Sequence, residues 1–314
     1  MIGRSSLRAR LAAASAGLVL SAVPVAAPVT AAAAATPVMS IMTGETAEWN
    51  HDPASPIGPT HWGELDPAWS ACASVEGQSP IAVTATREAD LPVLLVDYPR
   101  TPLAVQNTGH VIEVPQPPGG GGTLLVGGHS YRLLQWHTHV PSEHVVNGHR
   151  ADLEIHLVHQ DEQGQIAVLA VFADVVSSGP AVPQTPAADL LGTTVQAAPS
   201  TAGEETDLDQ KGSAAVLLQA AGVGWDDSRV IPSYLTYTGS LTTPPCTGGV
   251  QWFLLPGILG VDQATVQRLH HLIASFPGYE GYPNNNRPLQ PVGSRMVERR
   301  VGWPSVAGVT PGAA

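Results

Sequence analysis

Lysine is nearly missing from this chain: of 314 residues only Lys211 is a lysine, and 14 basic residues in all face 26 acidic ones, a formal net charge of -12. Without a basic cluster there is nothing to track a phosphate backbone, which argues against nucleic acid as a partner, and nothing to hold an anionic lipid surface. An acidic surface of this kind supports solubility and says little about fold. Cysteine is scarce too. Cys72 and Cys246 allow one disulfide at most, and in an exported chain a bond between them is the natural reading. Long apolar runs are confined to the N-terminus, so the rest of the chain offers no membrane span, and no internal repeat divides it.

The N-terminus itself has no acidic residue. Arg4, Arg8 and Arg10 precede an apolar run from Leu11 to Ala27 and an Ala-rich stretch from Ala31 to Ala35, the layout of a secretory signal peptide. Pro24 and Pro28 interrupt the run, which argues against a membrane anchor. Cleavage near Thr36, or earlier after Val25-Ala26-Ala27, removes three of the 14 basic residues and none of the 26 acidic ones, taking the charge from -12 to -15. The expected organisation is a signal peptide over 1–35, a linker over 36–48, one domain over 49–300 and a tail over 301–314. The mature chain is expected to be secreted or periplasmic.

From Ser79 to Val175 short runs rich in Val, Ile, Leu and Thr alternate with turn signals such as Asn107-Thr108-Gly109 and Asn147-Gly148, a pattern of antiparallel strands. The stretch Pro115 to Gly122 reads as a surface turn. Gly179 to Val230 carries only weak helical patches, at Ala188 to Gln196 and Ser213 to Ala221. Strand signals return after Tyr234, and a helix follows with Asp262 as its N-cap and Val266, Leu269, Ile273 and Phe276 at helical spacing. The expected fold is mainly β: a single domain around a large, twisted, mostly antiparallel sheet with a few short peripheral helices.

The histidines carry the chemistry. In a strand of period two, His137 and His139 of QWHTH project from one face with Gln135 beside them. The turn at Asn147-Gly148 brings back LEIHLVH, which offers His156 with Glu154 and Val158 on its own face. Three neutral imidazoles leave tetrahedral zinc an open position, the arrangement of a catalytic site rather than a structural one. Glu154 is placed to accept a ring N–H from a ligand histidine, and Val158 to wall the site. The competing reading is of half-buried strand histidines satisfied by their neighbours.

Together with WNH at Trp49–His51, GPTHW at Gly58–Trp62, GQSPI at Gly77–Ile81, NTGH at Asn107–His110, SEH at Ser142–His144, AVLAVF at Ala167–Phe172, YTGSLTTPPC at Tyr237–Cys246 and NNRPLQP at Asn285–Pro291, these motifs make the chain resemble the α-class carbonic anhydrases of exported bacterial type. The resemblance implies reversible hydration of carbon dioxide to bicarbonate and a proton, by attack of a zinc-bound hydroxide, with weak ester hydrolysis as a side reaction. It implies zinc on His137, His139 and His156, and a relay in which Thr242 orients the hydroxide and donates to Glu143. Thr243 is expected beside bicarbonate, Val158, Val168, Leu241, Val250 and Trp252 around carbon dioxide, and His110 as proton shuttle. Gln135 and Glu154 are expected to support His137 and His156, and Cys72 and Cys246 match the disulfide of bacterial members. His144 and His159 fall off the ligand pattern and read as structural.

The chain departs from the family at His51, where members commonly carry tyrosine, at Glu113, where Asn or Gln is common, and at Thr247-Gly248-Gly249. The first two border the water network in relatives and bear on proton transfer. An oxygenase of cupin type shares His137-x-His139-x-x-x-Glu143, but Arg150 stands where its closing glycine belongs. An exported zinc-binding or adhesion module of the same fold with little activity is the other alternative, and it has no need of the Thr242–Glu143 relay.

Overall fold

The computed structural model describes residues 48–176, 185–221 and 229–300. The expected signal peptide, most of the linker and the 301–314 tail lie outside them. The strands, in chain order, are β1 (Ala82–Val83), β2 (Arg87–Ala89), β3 (Leu94–Asp97), β4 (Thr101–Asn107), β5 (Ile112–Pro115), β6 (Thr123–Val126), β7 (His129–His139), β8 (Val145–Val146), β9 (Leu153–Gln160), β10 (Ile166–Val175), β11 (Glu205–Gly212), β12 (Val230–Ile231), β13 (Leu235–Ser240), β14 (Gly248–Val261) and β15 (Glu298–Arg300). Among the described residues the α-helices are α1 (Trp62–Leu65), α2 (Pro186–Ala197) and α3 (Gln263–Ala274).

One sheet of 13 strands dominates, ordered β11-β4-β5-β7-β9-β10-β14-β13-β15-β2, with β6, β3 and β12 continuing from β7 on a branch. Most pairs are antiparallel, as the turn-rich sequence predicts. The sheet is nevertheless mixed, because β10 pairs with β14 in parallel and β15 with β2 likewise. A parallel pair needs a long crossover, and the chain between β10 and β14 supplies it.

β9 and β10 lie at the centre, and their first seven or eight residues are all buried, because both faces of the sheet are covered. On one side Trp136, Ile155, Leu157, Leu169 and Val171 join a large apolar cluster with α2 and α3. On the other, Val158, Val168, Leu241, Val250 and Trp252 belong to a second, smaller cluster. The histidines project toward this second side, because they alternate along the strands with residues of the first.

The segment before Val230 contains β11, which the sequence pattern does not announce. Its residues ETDLDQKG lack apolar alternation because β11 is the terminal strand of the sheet and most of its side chains face solvent. The two helical patches are present, as α2 and as a 3-10 helix over Ala214–Ala221. Cys72 and Cys246 are bonded across a sequence separation of 174, which by loop-closure entropy contributes on the order of 4 to 5 kcal/mol. The bond ties the 3-10 turn Pro67–Ala73 to the turn that follows Thr242 and Thr243.

α3 begins where its sequence predicts. Asp262 Oδ1 accepts from Thr265 N at 2.6 Å, while Val266, Leu269, Leu272 and Ile273 are buried. Replacing Asp262 by Ala leaves that amide without its cap, and denaturant melts are expected to show a loss of about 1 kcal/mol.

Candidate metal centre

β7 and β9 run antiparallel with His137 directly opposite His156, and His139 lies two residues on, opposite Glu154. The pleat therefore puts all three imidazoles on one face. Their ring centroids stand 4.9, 5.2 and 4.6 Å apart, and one nitrogen from each falls within 4.8 Å of the others. All three side chains are buried.

Each ring has one nitrogen already committed. His137 Nδ1 donates to Gln135 Oε1 at 2.8 Å, His139 Nδ1 to the Asn285 carbonyl at 2.7 Å, and His156 Nε2 to Glu154 Oε1 at 2.8 Å. These partners only accept, so they fix the tautomers. The lone pairs left over are on His137 Nε2, His139 Nε2 and His156 Nδ1. His137 Nε2 and His139 Nε2 are 3.0 Å apart. With both ring protons engaged elsewhere, neither nitrogen has a hydrogen to offer the other, and the two lone pairs repel unless a cation lies between them. The donor set therefore fits a metal that takes three neutral imidazoles, as zinc does.

Burial pushes all three histidines below the ordinary imidazole range, His139 to about 4, so the rings are neutral at neutral pH, the state that binds a metal. Glu154 holds this side of the site together. Its Oε1 accepts from His156 and from His144 Nδ1 at 2.7 Å, and its Oε2 from the backbone N–H groups of Glu143 and His144, both at 2.8 Å. Burial favours the neutral acid, but the His144 and His156 partners outweigh it and hold the carboxyl well below its usual range. His144 Nε2 continues to the Tyr237 hydroxyl at 2.7 Å.

Glu143 is also buried. Its Oε1 accepts from Arg287 N at 2.8 Å, while the Thr242 hydroxyl lies close enough to favour its charged form. Burial nevertheless pushes this carboxyl up to about 7, and a dication held by the adjacent imidazoles would favour the carboxylate. Thr242 and Thr243 are both buried on the turn before Cys246. The apolar wall is a cross-strand row: Val158 pairs with Val168, and Val168 with Trp252, whose ring meets His156 edge-on at 4.9 Å. Leu241 and Val250 join it from β13's end and β14.

His110 does not join the three-histidine group. It lies on the turn between β4 and β5, its ring stacked on Trp49. Glu113 is buried directly opposite His137, and burial together with the Glu205 charge pushes it up to about 7. The sequence did not mark Asn285 as a supporting residue. Its backbone carbonyl orients His139, and its side chain accepts from Val140 N at 2.8 Å. A carbonyl has no side-chain signature, and only the family resemblance carried in part by NNRPLQP points there. His144 reads as structural from the sequence, and its structural part is to hold Glu154.

A mainly β domain whose three buried strand imidazoles turn their free lone pairs toward one another has the donor set of a histidine metal centre. The family model of eukaryotic-type carbonic anhydrase matches residues 57–301. A carbonic anhydrase of Neisseria gonorrhoeae is 35% identical over 242 residues, 76% of this chain and 83% of the relative. Dioscorin DB3L of Dioscorea polystachya is 31% identical over 253 residues, 80% of this chain and 85% of the relative. The solved α-carbonic anhydrase of Photobacterium profundum superposes with a TM-score of 0.64 at 31% identity, covering 80% of this chain and all of that one. The chain belongs to the α-carbonic anhydrase family, whose reaction is the reversible hydration of carbon dioxide.

The buried neutral histidines set a pH dependence. Their folded pKa lies below the unfolded value of 6.5, with His139 at about 4 and His159, in the core, at about 3. Below 6.5 the unfolded chain protonates His51, His137, His139, His156 and His159 while the folded chain does not. Glu113 and Glu143, held near 7, oppose this by keeping their protons in the folded chain, but the histidines outnumber them and acid destabilises the fold. The metal-free protein is expected to lose melting temperature progressively from about pH 6.5 toward pH 4 by calorimetry, with no corresponding loss between pH 7 and 8.

Proposed function

We propose that hydration takes place at the His137–His139–His156 centre with zinc as its resident metal. One observation carries this reading: three imidazoles whose second nitrogens are all committed to acceptors, leaving their lone pairs to converge. Zinc in such a site supplies a water acidified to about neutrality, an effect for which carbonic anhydrase is the reference case.

The chain's own residues do the rest. A hydroxyl donates and accepts at once, whereas an ionised carboxylate only accepts. Thr242 therefore donates its hydroxyl hydrogen bond to Glu143 and turns its oxygen toward the nucleophile, which must donate to it. That bond aims the nucleophile's free lone pair at the carbon of the substrate. Carbon dioxide has no hydrogen to donate and no net dipole, so it partitions onto the row formed by Val158, Val168, Leu241, Val250 and Trp252, where water is held poorly. Thr243 and the Thr242 backbone N–H lie beside the oxygens of the product bicarbonate. Gln135 and Glu154 keep His137 and His156 in their tautomers. Each turnover also releases a proton, and His110, an imidazole on the turn between β4 and β5, is the residue that carries it to solvent.

The Cys72–Cys246 bond and the N-terminal sequence support export to an oxidising compartment, outside the cell or in the periplasm. No helix among the described residues is long and apolar enough to cross a membrane. The partners proposed are the small molecules carbon dioxide and bicarbonate.

Metal analysis of the purified chain is expected to find one zinc, and His137→Ala, His139→Ala or His156→Ala to lose metal and hydration together. Iron in place of zinc, or full zinc retention in all three variants, overturns the assignment. Thr242→Ala is expected to keep its zinc but slow stopped-flow hydration about 100-fold, because the nucleophile loses its orientation. His110→Ala is expected to lower kcat roughly tenfold or more in dilute, bulky buffer, with kcat/KM unchanged and imidazole buffer restoring the rate.

A further inference from the structure

The turn after α3 reaches across to the N-terminal segment through paired contacts. Asn50 Nδ2 donates to the Gly278 carbonyl at 2.8 Å, and one residue on in each segment His51 Nδ1 meets the Tyr279 hydroxyl at 2.5 Å. His51 and Tyr279 are both buried. His51 then abuts Trp49 edge-on, with centroids 5.1 Å apart, and Trp62 meets Trp49 in the same manner at 5.1 Å. Trp49 turns its open face to His110, where the two rings stack with centroids 3.7 Å apart and planes within 10°. Tyr279 stands near the same imidazole, 6.1 Å away and tilted by 45°. Asn285 Nδ2 fixes the backbone below, donating to the His110 carbonyl at 3.2 Å.

We propose that Tyr279 is a positioning residue for proton release: its hydroxyl, bonded to His51, braces the Trp49 platform on which the His110 ring stacks. The inference rests on the hydration reading above. A stacked aromatic contact is worth only about 1 kcal/mol, so the platform's tilt decides how much of the time His110 occupies one position. Trp49 is braced by its edge contacts with His51 and Trp62. Trp62 is fully buried and its Nε1 donates to the Asn50 carbonyl at 3.0 Å. His51 has one side-chain hydrogen bond among the described residues, the one to Tyr279, and its Nε2 is buried without a partner. Removing the phenol oxygen therefore releases the ring that sets the tilt while leaving the aromatic volume in place.

The test is Tyr279→Phe, with His51→Phe and the double variant, in the zinc-loaded protein. In dilute, bulky buffer Tyr279→Phe is expected to lower kcat for hydration roughly threefold, since a small misplacement of a transferring group is costly. kcat/KM, which does not include proton release, is expected to stay unchanged, imidazole buffer to restore kcat, and the double variant to be no worse than the more impaired single variant. A second readout needs no metal. In the metal-free protein the His110 ring protons are expected to be shifted upfield by the Trp49 face, and less so in Tyr279→Phe. Unchanged kcat with unchanged His110 shifts overturns the proposal, as does a parallel fall in kcat and kcat/KM, which reports damage to the hydration site. A wild-type chain that holds zinc but does not hydrate carbon dioxide overturns the hydration reading itself, and the role in proton release with it. An active wild type with an indifferent variant overturns the positioning role alone.

Discussion

Two imidazole nitrogens 3.0 Å apart, each with its ring's proton engaged on the far side, cannot hydrogen bond to each other. Much of the architecture maintains that frustrated arrangement. The β7–β9 register sets His137 against His156. Gln135, Glu154 and the Asn285 carbonyl then withdraw one nitrogen from each ring. A fold that buries three neutral bases without a proton among their inner nitrogens has prepared a site for a cation, whose binding would repay the repulsion.

A buried carboxylate is expensive unless its oxygens are all satisfied. Glu154 accepts from two imidazoles and two backbone amides, and so keeps its charge under complete burial. Glu143 is less fully satisfied, with Oε1 on an amide and Oε2 buried without a hydrogen-bond partner among the described residues. The contrast sorts the two carboxylates by task. One fixes the His156 tautomer permanently, and the other keeps acceptor capacity to spare, as the proposed relay through Thr242 requires.

The histidine face was legible in the sequence because a strand's period of two is rigid: H-x-H and LEIHLVH leave the side chains no choice of face. The Asp262 cap was legible for a similar local reason. β11 was not, since an edge strand with solvent-facing side chains carries no apolar alternation to read. Nor was the parallel pairing of β10 with β14, which is a property of topology and not of either strand's composition. Asn285 supports His139 through a backbone oxygen, and the Tyr279–His51 bond joins residues 228 positions apart. Neither contact has a local pattern behind it. Glu113 stood out as an unusual residue, and its burial opposite His137 becomes visible only once the β5–β7 register is known.

The parallel pairing of β10 with β14 also orders the assembly of the site in time. β7 and β9 are joined by a short connection around Asn147-Gly148, so the imidazole cluster closes at little cost in chain entropy. The apolar row, by contrast, needs Val168 of β10 beside Trp252 of β14, and that contact waits for the whole crossover between them. Contacts between distant parts of a chain form late and slowly. During folding the β7 and β9 imidazoles can therefore meet before the apolar row is complete, but His139 takes its final orientation only when the Asn285 carbonyl arrives from 146 positions away, so both halves of the site are finished by late, distant contacts.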